Sequence, residues 1–107
     1  MTVADKLYCG IDNDGYGGMT LIGTIIRDAW VFGILPEDET CENWTHSRLQ
    51  IVHDRTKEEW DKYHCLVSNL PVDLKQRHAR IYREAVEKAR AMGWDPNRSL
   101  ADSERFE

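Results

Sequence analysis

Apolar side chains recur at helical spacing in three segments of the chain. The first runs from Met19 to Phe32, where polar residues return every three or four positions and apolar residues fill the other face. Gly33 comes directly after this segment, at the position where a helix commonly ends with a left-handed glycine. Pro36 then prevents the helix from continuing. Although β-branched residues are frequent here, this periodicity predicts a largely buried helix over residues 19–32.

A second helix is predicted near residues 56–68. Thr56 and Glu59 have the spacing of a capping box, in which each side chain bonds the backbone amide of the other residue. Apolar and aromatic residues follow at helical spacing. Pro71 marks the end of this segment, because proline disfavours the α conformation in the residue before it.

The longest helix is predicted over residues 73–92, closed by Gly93. Its inner face is mostly apolar, and its outer face carries oppositely charged residues four positions apart. A basic stripe on this helix consists of Lys75, Arg77, Arg80, Arg83, Lys88 and Arg90. Because acidic residues interleave with this stripe, a solvated face is the preferred interpretation, and nucleic acid is not expected as a partner.

Residues 36–55 are ambiguous. Pro36 followed by three acidic residues has the composition of a first helical turn, since proline and acids are both favoured there. Leu49 and Ile51 instead alternate with polar residues as in a strand. Such a strand, over residues 48–53, could pair with residues 6–11 to form a small two-stranded β element.

Length and composition fit one small domain. The prediction is a mainly α fold, a compact three-helix domain over residues 1–93, with a loosely ordered, polar tail over residues 94–107. Residues 1–54 hold three basic and nine acidic side chains, a net charge of −6, whereas residues 55–107 hold eleven basic and ten acidic ones, a net charge of +1. An acidic chain is a poor binder of phosphate backbones.

Location is predicted from hydropathy and cysteine usage. No run approaches about 18 consecutive apolar residues, so no membrane association is expected. The N-terminal residues lack the pattern of a secretory signal. Three cysteines without close pairing, Cys9, Cys41 and Cys65, favour reduced thiols and a cytoplasmic location.

The turn over residues 12–18 is the main candidate for a small-molecule site. Aspartate, asparagine and glycine at this density favour a turn, and a helix is predicted to begin directly after it. Backbone amides at the start of a helix attract anions. The candidate ligand-binding residues are therefore Asp12, Asp14, Gly15, Gly17 and Gly18, together with His64 from the second predicted helix.

Asp12 and Asp14, two positions apart after a short apolar run, resemble the first motif of the haloacid-dehalogenase phosphotransferases. In that family one carboxylate attacks phosphorus and the other handles protons, on a parallel-sheet core. The resemblance covers only this short segment and departs at Tyr16, where a small hydroxyl residue is usual. An EF-hand calcium loop starting at Asp12 fails, because Gly23 stands where glutamate is required. A structural turn is the preferred interpretation.

Ligand types suitable for zinc are present, but not at a recognised spacing. The set is Cys41, His46, His53, His64 and Cys65, and it contains no Cys-x-x-Cys pair. No metal and no other cofactor is therefore expected. Cys65 is not expected to be a nucleophile, because adjacent side chains such as His64 point apart on a helix.

No catalytic constellation is complete, so an enzyme is the less favoured class. Four tryptophans in a short chain suggest a protein partner, since tryptophan is enriched at interface hot spots. We expect a small non-enzymatic accessory or regulatory protein that acts through protein–protein interaction, with a homodimer as one form. The alternative is a small metal- or anion-binding enzyme component that uses residues 12–18 and His64, which requires these side chains to converge on one pocket.

Overall fold

A computed structural model describes residues 7–95 of the chain. Its α-helices are α1 (Leu21–Val31), α2 (His46–Asp61) and α3 (Val72–Ala91). Short 3-10 turns are formed by Ile11–Asn13, Gly15–Gly17 and Val67–Asn69. The expected mainly helical, three-helix fold is confirmed, and residues 7–95 contain no strand.

Both ends of α1 are fixed by local sequence. The hydroxyl of Thr20 accepts a hydrogen bond from the amide of Gly23 at 3.0 Å, so Thr20 is the N-cap. At the other end Gly33 is left-handed, and the amide of Ile34 donates to the carbonyl of Ala29 at 2.9 Å. This is the glycine terminus that the sequence predicted.

The beginning of α2 differs from the prediction. Thr45 is the N-cap, with its hydroxyl accepting from the amide of Arg48 at 3.2 Å. Thr56 is buried inside the helix, and its hydroxyl donates to the carbonyl of His53 at 2.8 Å, so the capping box does not form. The helix therefore runs over residues 46–61 and not 56–68, because Leu49 and Val52 bury their side chains in the core.

The two-stranded element is also not formed. Residues 48–53 lie within α2, and residues 36–39 form a turn and not a helix. The extended segment near Tyr8 runs instead beside the loop before α2. The Tyr8 amide donates to the Trp44 carbonyl at 2.9 Å, and the Asn43 amide donates to the Tyr8 carbonyl at 2.7 Å. This pairing is too short and irregular to make a strand.

Helix α1 is the centre of the fold. It packs against both α2 and α3, which make few contacts with each other. The core lies between α1, α2 and the segments preceding them, and is formed by Ile11, Ile26, Ala29, Cys41, Trp44, Leu49 and Val52. Burial of these apolar side chains is the main favourable contribution to folding.

The polar stripe of α1 faces inward, contrary to the usual arrangement of a surface helix. Arg27 is only 3% exposed, and Asp28 is half-buried. Leu21 belongs to the apolar face of the predicted helix over residues 19–32, yet it is 76% exposed. The reason is that α3 covers the polar side of α1, so both sides of this central helix are packed.

Helix α3 agrees with its prediction within one residue at each end. Gly93 is left-handed, and the amide of the half-buried Trp94 donates to the carbonyl of Ala89 at 2.9 Å. Met92 belongs by its spacing to the apolar inner face of the predicted helix, yet it is about half exposed. Most of the predicted tail, residues 96–107, lies outside the described residues. Within residues 7–95, no helix is long and apolar enough to cross a membrane.

Candidate functional sites

Asp14 organises the turn that precedes α1. Its Oδ2 accepts hydrogen bonds from the hydroxyls of Tyr8 at 2.7 Å and Thr20 at 2.6 Å, and its Oδ1 accepts from the amide of Gly15 at 2.8 Å. Thr20 therefore donates to Asp14 while it accepts from Gly23 as the helix cap. These bonds fix the turn to the helix start.

The same bonds set the charge state of Asp14. Burial alone would raise the pKa of this carboxyl. The hydrogen bonds from Thr20, Tyr8 and Gly15, with the positive charge of Arg27, outweigh burial and lower its pKa. Burial and the hydrogen bond to Asp14 raise the pKa of Tyr8. Asp14 is thus a carboxylate held by donors from its own chain.

Asp12 lies on the other side of the turn and contacts α3. Its Oδ1 is 2.6 Å from Nζ of Lys88, an ion pair between residues that are far apart in sequence. Gly17 packs beneath the methylene groups of Lys88, where a Cβ would lie 3.3 Å from them. Gly18 is left-handed, and a Cβ there would lie 2.4 Å from Cγ1 of Ile11, so the turn requires glycine at this position.

Arg27 lies beneath this turn with unsatisfied donors. Among the described residues, its Nε and Nη1 have no hydrogen-bond partner, and both atoms are buried. Its Nη2 makes one long hydrogen bond, 3.5 Å, to the hydroxyl of Thr24. The guanidinium also lies 5.2 Å from the centre of the Tyr82 ring, a cation–π contact. Arg27 lines a cavity of about 160 Å³ together with Asp12, Gly17 and residues of α3.

His64 is not brought to this turn. It is exposed in the left-handed turn after α2, with φ of 55°. Its neighbour Tyr63 stacks on Phe32, which follows the last residue of α1. The turn over residues 12–18 precedes the other end of that helix, whose 11 residues span about 16 Å. His64 thus lies toward the other end of α1 from the aspartates with which the alternative function requires it to converge.

A second candidate site is an open groove between α1 and α2. Three adjoining cavities, of about 570, 270 and 300 Å³, all include Leu21 in their walls. We define the α1–α2 groove by the residues that line at least two of these cavities, together with Lys57, which lines one of them: Leu21, Ile22, Ile25, Leu49, His46, His53 and Lys57. Three of its apolar residues, Leu21, Ile22 and Ile25, lie on α1, whereas its polar residues all lie on α2.

Other predicted features are dispersed. Cys41 is buried, and burial together with the Glu39 carboxylate raises the pKa of its thiol to about 12, so it is a structural thiol. Cys9 and Cys65 are exposed. Between residues 7 and 95, no group of three or more His, Cys, Asp or Glu side chains is arranged to hold a metal ion.

The basic stripe of α3 is partly neutralised by its own chain. Arg80 contacts Glu37 at 2.8 Å and Glu84 at 3.6 Å. Arg77 donates to the carbonyl of Val31 at 3.1 Å. With Lys88 paired to Asp12, two of the six basic residues form ion pairs, which lowers the net positive charge of this face.

Sequence reasoning missed four residues that build these sites: Tyr8, Thr20, Arg27 and Lys88. Thr20 could have been recognised as an N-cap, because it precedes the helix by one position. Arg27 falls on the polar face of the helical periodicity, and nothing local indicates that α3 covers that face. The partners of Tyr8 and Lys88 depend on tertiary contacts and carry no local signal.

Similarity to known proteins gives no further guide to these sites. Asp12 and Asp14 lie in turns that follow no strand, unlike the phosphotransferase motif they resemble. Comparisons of the chain with protein-family models, curated proteins and solved structures found no significant match. Function must therefore be argued from the sites themselves.

Proposed function

We propose that this protein is a binding module that takes up an amphipathic helix of a partner protein in the α1–α2 groove. The observation that carries the proposal is Leu21, a large apolar side chain that is 76% exposed at the centre of an apolar groove. Contiguous exposed apolar surface on a small domain is typical of a protein interaction site.

The shape of the groove favours a helix as its occupant. Two packed helices leave a furrow between them, and a third helix can lie there with apolar residues at helical spacing. α3 occupies the opposite side of α1, where Tyr82 contacts Arg27 and Asp28. A bound helix would therefore complete the packing around α1 without displacing any element of residues 7–95.

The charges around the groove favour a partner with acidic side chains along one edge. Lys57, His46 and His53 all lie on the α2 side, where the Lys57 ammonium group and the imidazole N–H groups can donate hydrogen bonds to carboxylates. The carboxylates of Asp14 and Asp28 line two of the same cavities from outside α2, so we place the acidic side chains of the partner along the α2 edge only. The net charge of −5 disfavours a second copy of the chain as the occupant.

An enzymatic role for residues 12–18 has less support. Asp14 accepts three hydrogen bonds and Asp12 is paired with Lys88, so both carboxylates are engaged in holding the turn. His64 is distant from them. General acid–base chemistry needs a titratable group within reach of substrate and of its partner groups.

The proposal is tested by selecting ligands from a displayed library of amphipathic helices. Apolar residues are fixed at helical spacing, and the remaining positions are randomised. We expect enriched sequences to carry glutamate or aspartate along one edge and to bind less tightly as salt is raised. Enrichment of basic sequences would contradict the charge argument, and the absence of any saturable binder would contradict the proposed function.

Self-association is the competing outcome and is measured separately. Sedimentation velocity over a range of protein concentrations should give a monomer. A stable dimer that dissociates when Leu21 is replaced by aspartate would assign the groove to a second copy of the chain, and would overturn the proposal of a different partner.

A further inference from the structure

We propose that the partner helix lies antiparallel to α1 and α2, with acidic residues in its first turn beside Lys57 and a large apolar anchor two to three turns later. The inference rests on the proposed binding of a helix in the α1–α2 groove. It adds the direction of that helix and the order of residues along it.

The first observation is that α1 and α2 run in the same direction. At one end of the groove, Leu21 shares the walls of two cavities with His46 and Leu49. At the other end, the indole nitrogen of Trp60 donates to the Asp28 carboxylate at 3.0 Å. Both helices therefore begin at the same end of the groove, beside the largest of the three cavities.

Parallel helices place like ends of their dipoles together, positive at the N-termini and negative at the C-termini. α3 offsets this for α1, because it runs antiparallel to it. Lys88, near the end of α3, contacts Asp12, which precedes α1. Arg77, in the first half of α3, contacts the last residue of α1, Val31. α3 makes few contacts with α2, so a helix in the groove offsets the dipole of α2 only if it also runs antiparallel.

Lys57 places acidic residues in the first turn of the partner. It is exposed, lines the cavity at the C-terminal end of the groove, and makes no ion pair within residues 7–95. Asp28 lines that cavity from α1 and already accepts hydrogen bonds from Trp60 and Tyr82. The first turn of an antiparallel helix lies beside Lys57, and acids are stabilised there by the dipole of their own helix. In a parallel helix the same acids would lie in the last turn, where the dipole disfavours them.

The largest cavity receives the anchor. It has a volume of about 570 Å³ and is lined by two exposed apolar side chains, Leu7 at 54% and Leu21 at 76%. The aromatic residues Tyr8 and Trp44 also line it. Walls of this kind suit tryptophan or phenylalanine, which bury a large apolar area and are typical of interface hot spots.

The distance along α2 sets the spacing between acids and anchor. His46 lines the largest cavity, and it lies about 16 Å along α2 from Lys57. Leu49 lines the same cavity one turn closer. The anchor of an antiparallel helix therefore follows the acids by two to three turns.

The direction is tested with a spin label at either end of α2. Ser47 and Glu58 are exposed and line none of the three cavities. Ser47→Cys and Glu58→Cys are made singly in a Cys9→Ser, Cys65→Ser background, where the remaining thiol, Cys41, is buried. The probe is a synthetic amphipathic peptide of about 16 residues, with glutamates in its first turn, tryptophan in its fourth, and ¹⁵N in both end turns.

We expect the label at Ser47→Cys to abolish the amide signals of the last turn of the peptide and to spare those of the first turn. The label at Glu58→Cys should do the reverse. This pattern is specific to an antiparallel helix.

A double-mutant cycle tests the place of the acids. Lys57→Gln should weaken binding of the glutamate peptide about threefold and leave unchanged the binding of a peptide with glutamine in its first turn. Arg55→Gln removes the same charge at an exposed site of α2 outside the cavities, and it should not distinguish the two peptides.

The outcomes separate this inference from the proposed function. Saturable binding with the opposite pattern of lost signals would overturn the antiparallel direction and leave the groove as a binding site. An equal effect of Lys57→Gln on both peptides would overturn the place of the acids. If the peptide fails to bind while the displayed library yields binders, this order of residues is wrong and the proposed function stands. If neither binds, both are contradicted.

Discussion

The indole nitrogen of Trp60 lies 3.0 Å from Oδ2 of Asp28 and joins α2 to the central helix. The other oxygen of Asp28 accepts from the hydroxyl of Tyr82 on α3 at 2.5 Å. One carboxylate thus connects three helices, although α2 and α3 make few contacts with each other. This connection explains why the polar side of α1 faces inward.

Removing one donor to Asp28 should destabilise the fold. Tyr82→Phe keeps the ring that contacts Arg27 and His78 but deletes the hydroxyl, and we expect a loss of about 2 kcal/mol in the free energy of unfolding, because the bond is made to a charged acceptor. Urea unfolding measures this loss. Tyr63→Phe is the control, since the Tyr63 hydroxyl makes no hydrogen bond within residues 7–95, and it should change stability by less than about 0.5 kcal/mol. Equal losses in the two variants would contradict the role of Asp28.

Gly23 should tolerate no side chain, although it lies in a helix. Alanine usually stabilises a helix interior relative to glycine by up to about 1 kcal/mol. Here a Cβ would lie 2.0 Å from the carbonyl oxygen of Gly18, a backbone atom. We therefore expect Gly23→Ala to lower the free energy of unfolding by about 3 kcal/mol or more.

The control for this change is Gly33→Ala. Gly33 is left-handed with nothing within 4 Å of the added Cβ, so its cost is conformational and should be about 1 kcal/mol. Thermal or urea unfolding of both variants measures the loss in free energy of unfolding, which should be larger for Gly23→Ala than for Gly33→Ala. Stabilisation by Gly23→Ala would show that the turn and α1 are not packed this closely.

His78 should make stability depend on pH. Burial against Trp60 and Tyr82 lowers its pKa and outweighs the Asp28 charge, which raises it. In the unfolded chain the imidazole protonates near pH 6.5, before the folded one does. The contribution of His78 is therefore present above about pH 6.5 and is lost as the pH falls toward its lower folded value.

The variant His78→Phe retains an aromatic ring and cannot titrate. Between pH 7.5 and pH 5.5 the free energy of unfolding should fall less in this variant than in the wild type. NMR titration of the His78 ring gives the folded pKa directly. Equal pH dependence in both proteins would show that His78 does not protonate differently on unfolding.

Local signals predicted the helix ends best. A left-handed glycine ends a helix through hydrogen bonds to residues a few positions before it, so Gly33 and Gly93 correctly predicted the ends of α1 and α3. Thr45 and Thr56 both precede plausible helical segments, and local sequence favoured Thr56. The N-cap of α2 is Thr45, because the helix must begin early enough to bury Leu49 in the core. Core contacts of this kind cannot be recognised from the local sequence.

The candidate sites were predicted only in part. Composition placed the turn over residues 12–18 before α1, and the structure places it there. The ion pair of Asp12 with Lys88 joins residues 76 positions apart, and no spacing rule could have indicated it. The burial of Arg27 was not predicted, because helical periodicity identifies a polar face but not what packs against it.

The central claim is that the α1–α2 groove binds a helix, and one comparison of two variants tests it most directly. Leu21 is the first residue of α1, where aspartate is favoured by the helix dipole, so Leu21→Asp should leave the fold intact. Ile51→Asp makes the same change at a 59% exposed site of α2 outside the groove.

The measurement is the affinity of a selected acidic-edge helix for each variant by fluorescence anisotropy. We predict that Leu21→Asp weakens binding about 30-fold, as expected for a hot spot of about 2 kcal/mol, while Ile51→Asp stays within about twofold of the wild type. Undiminished binding by Leu21→Asp, or an equal loss in both variants, would contradict the groove as the binding site.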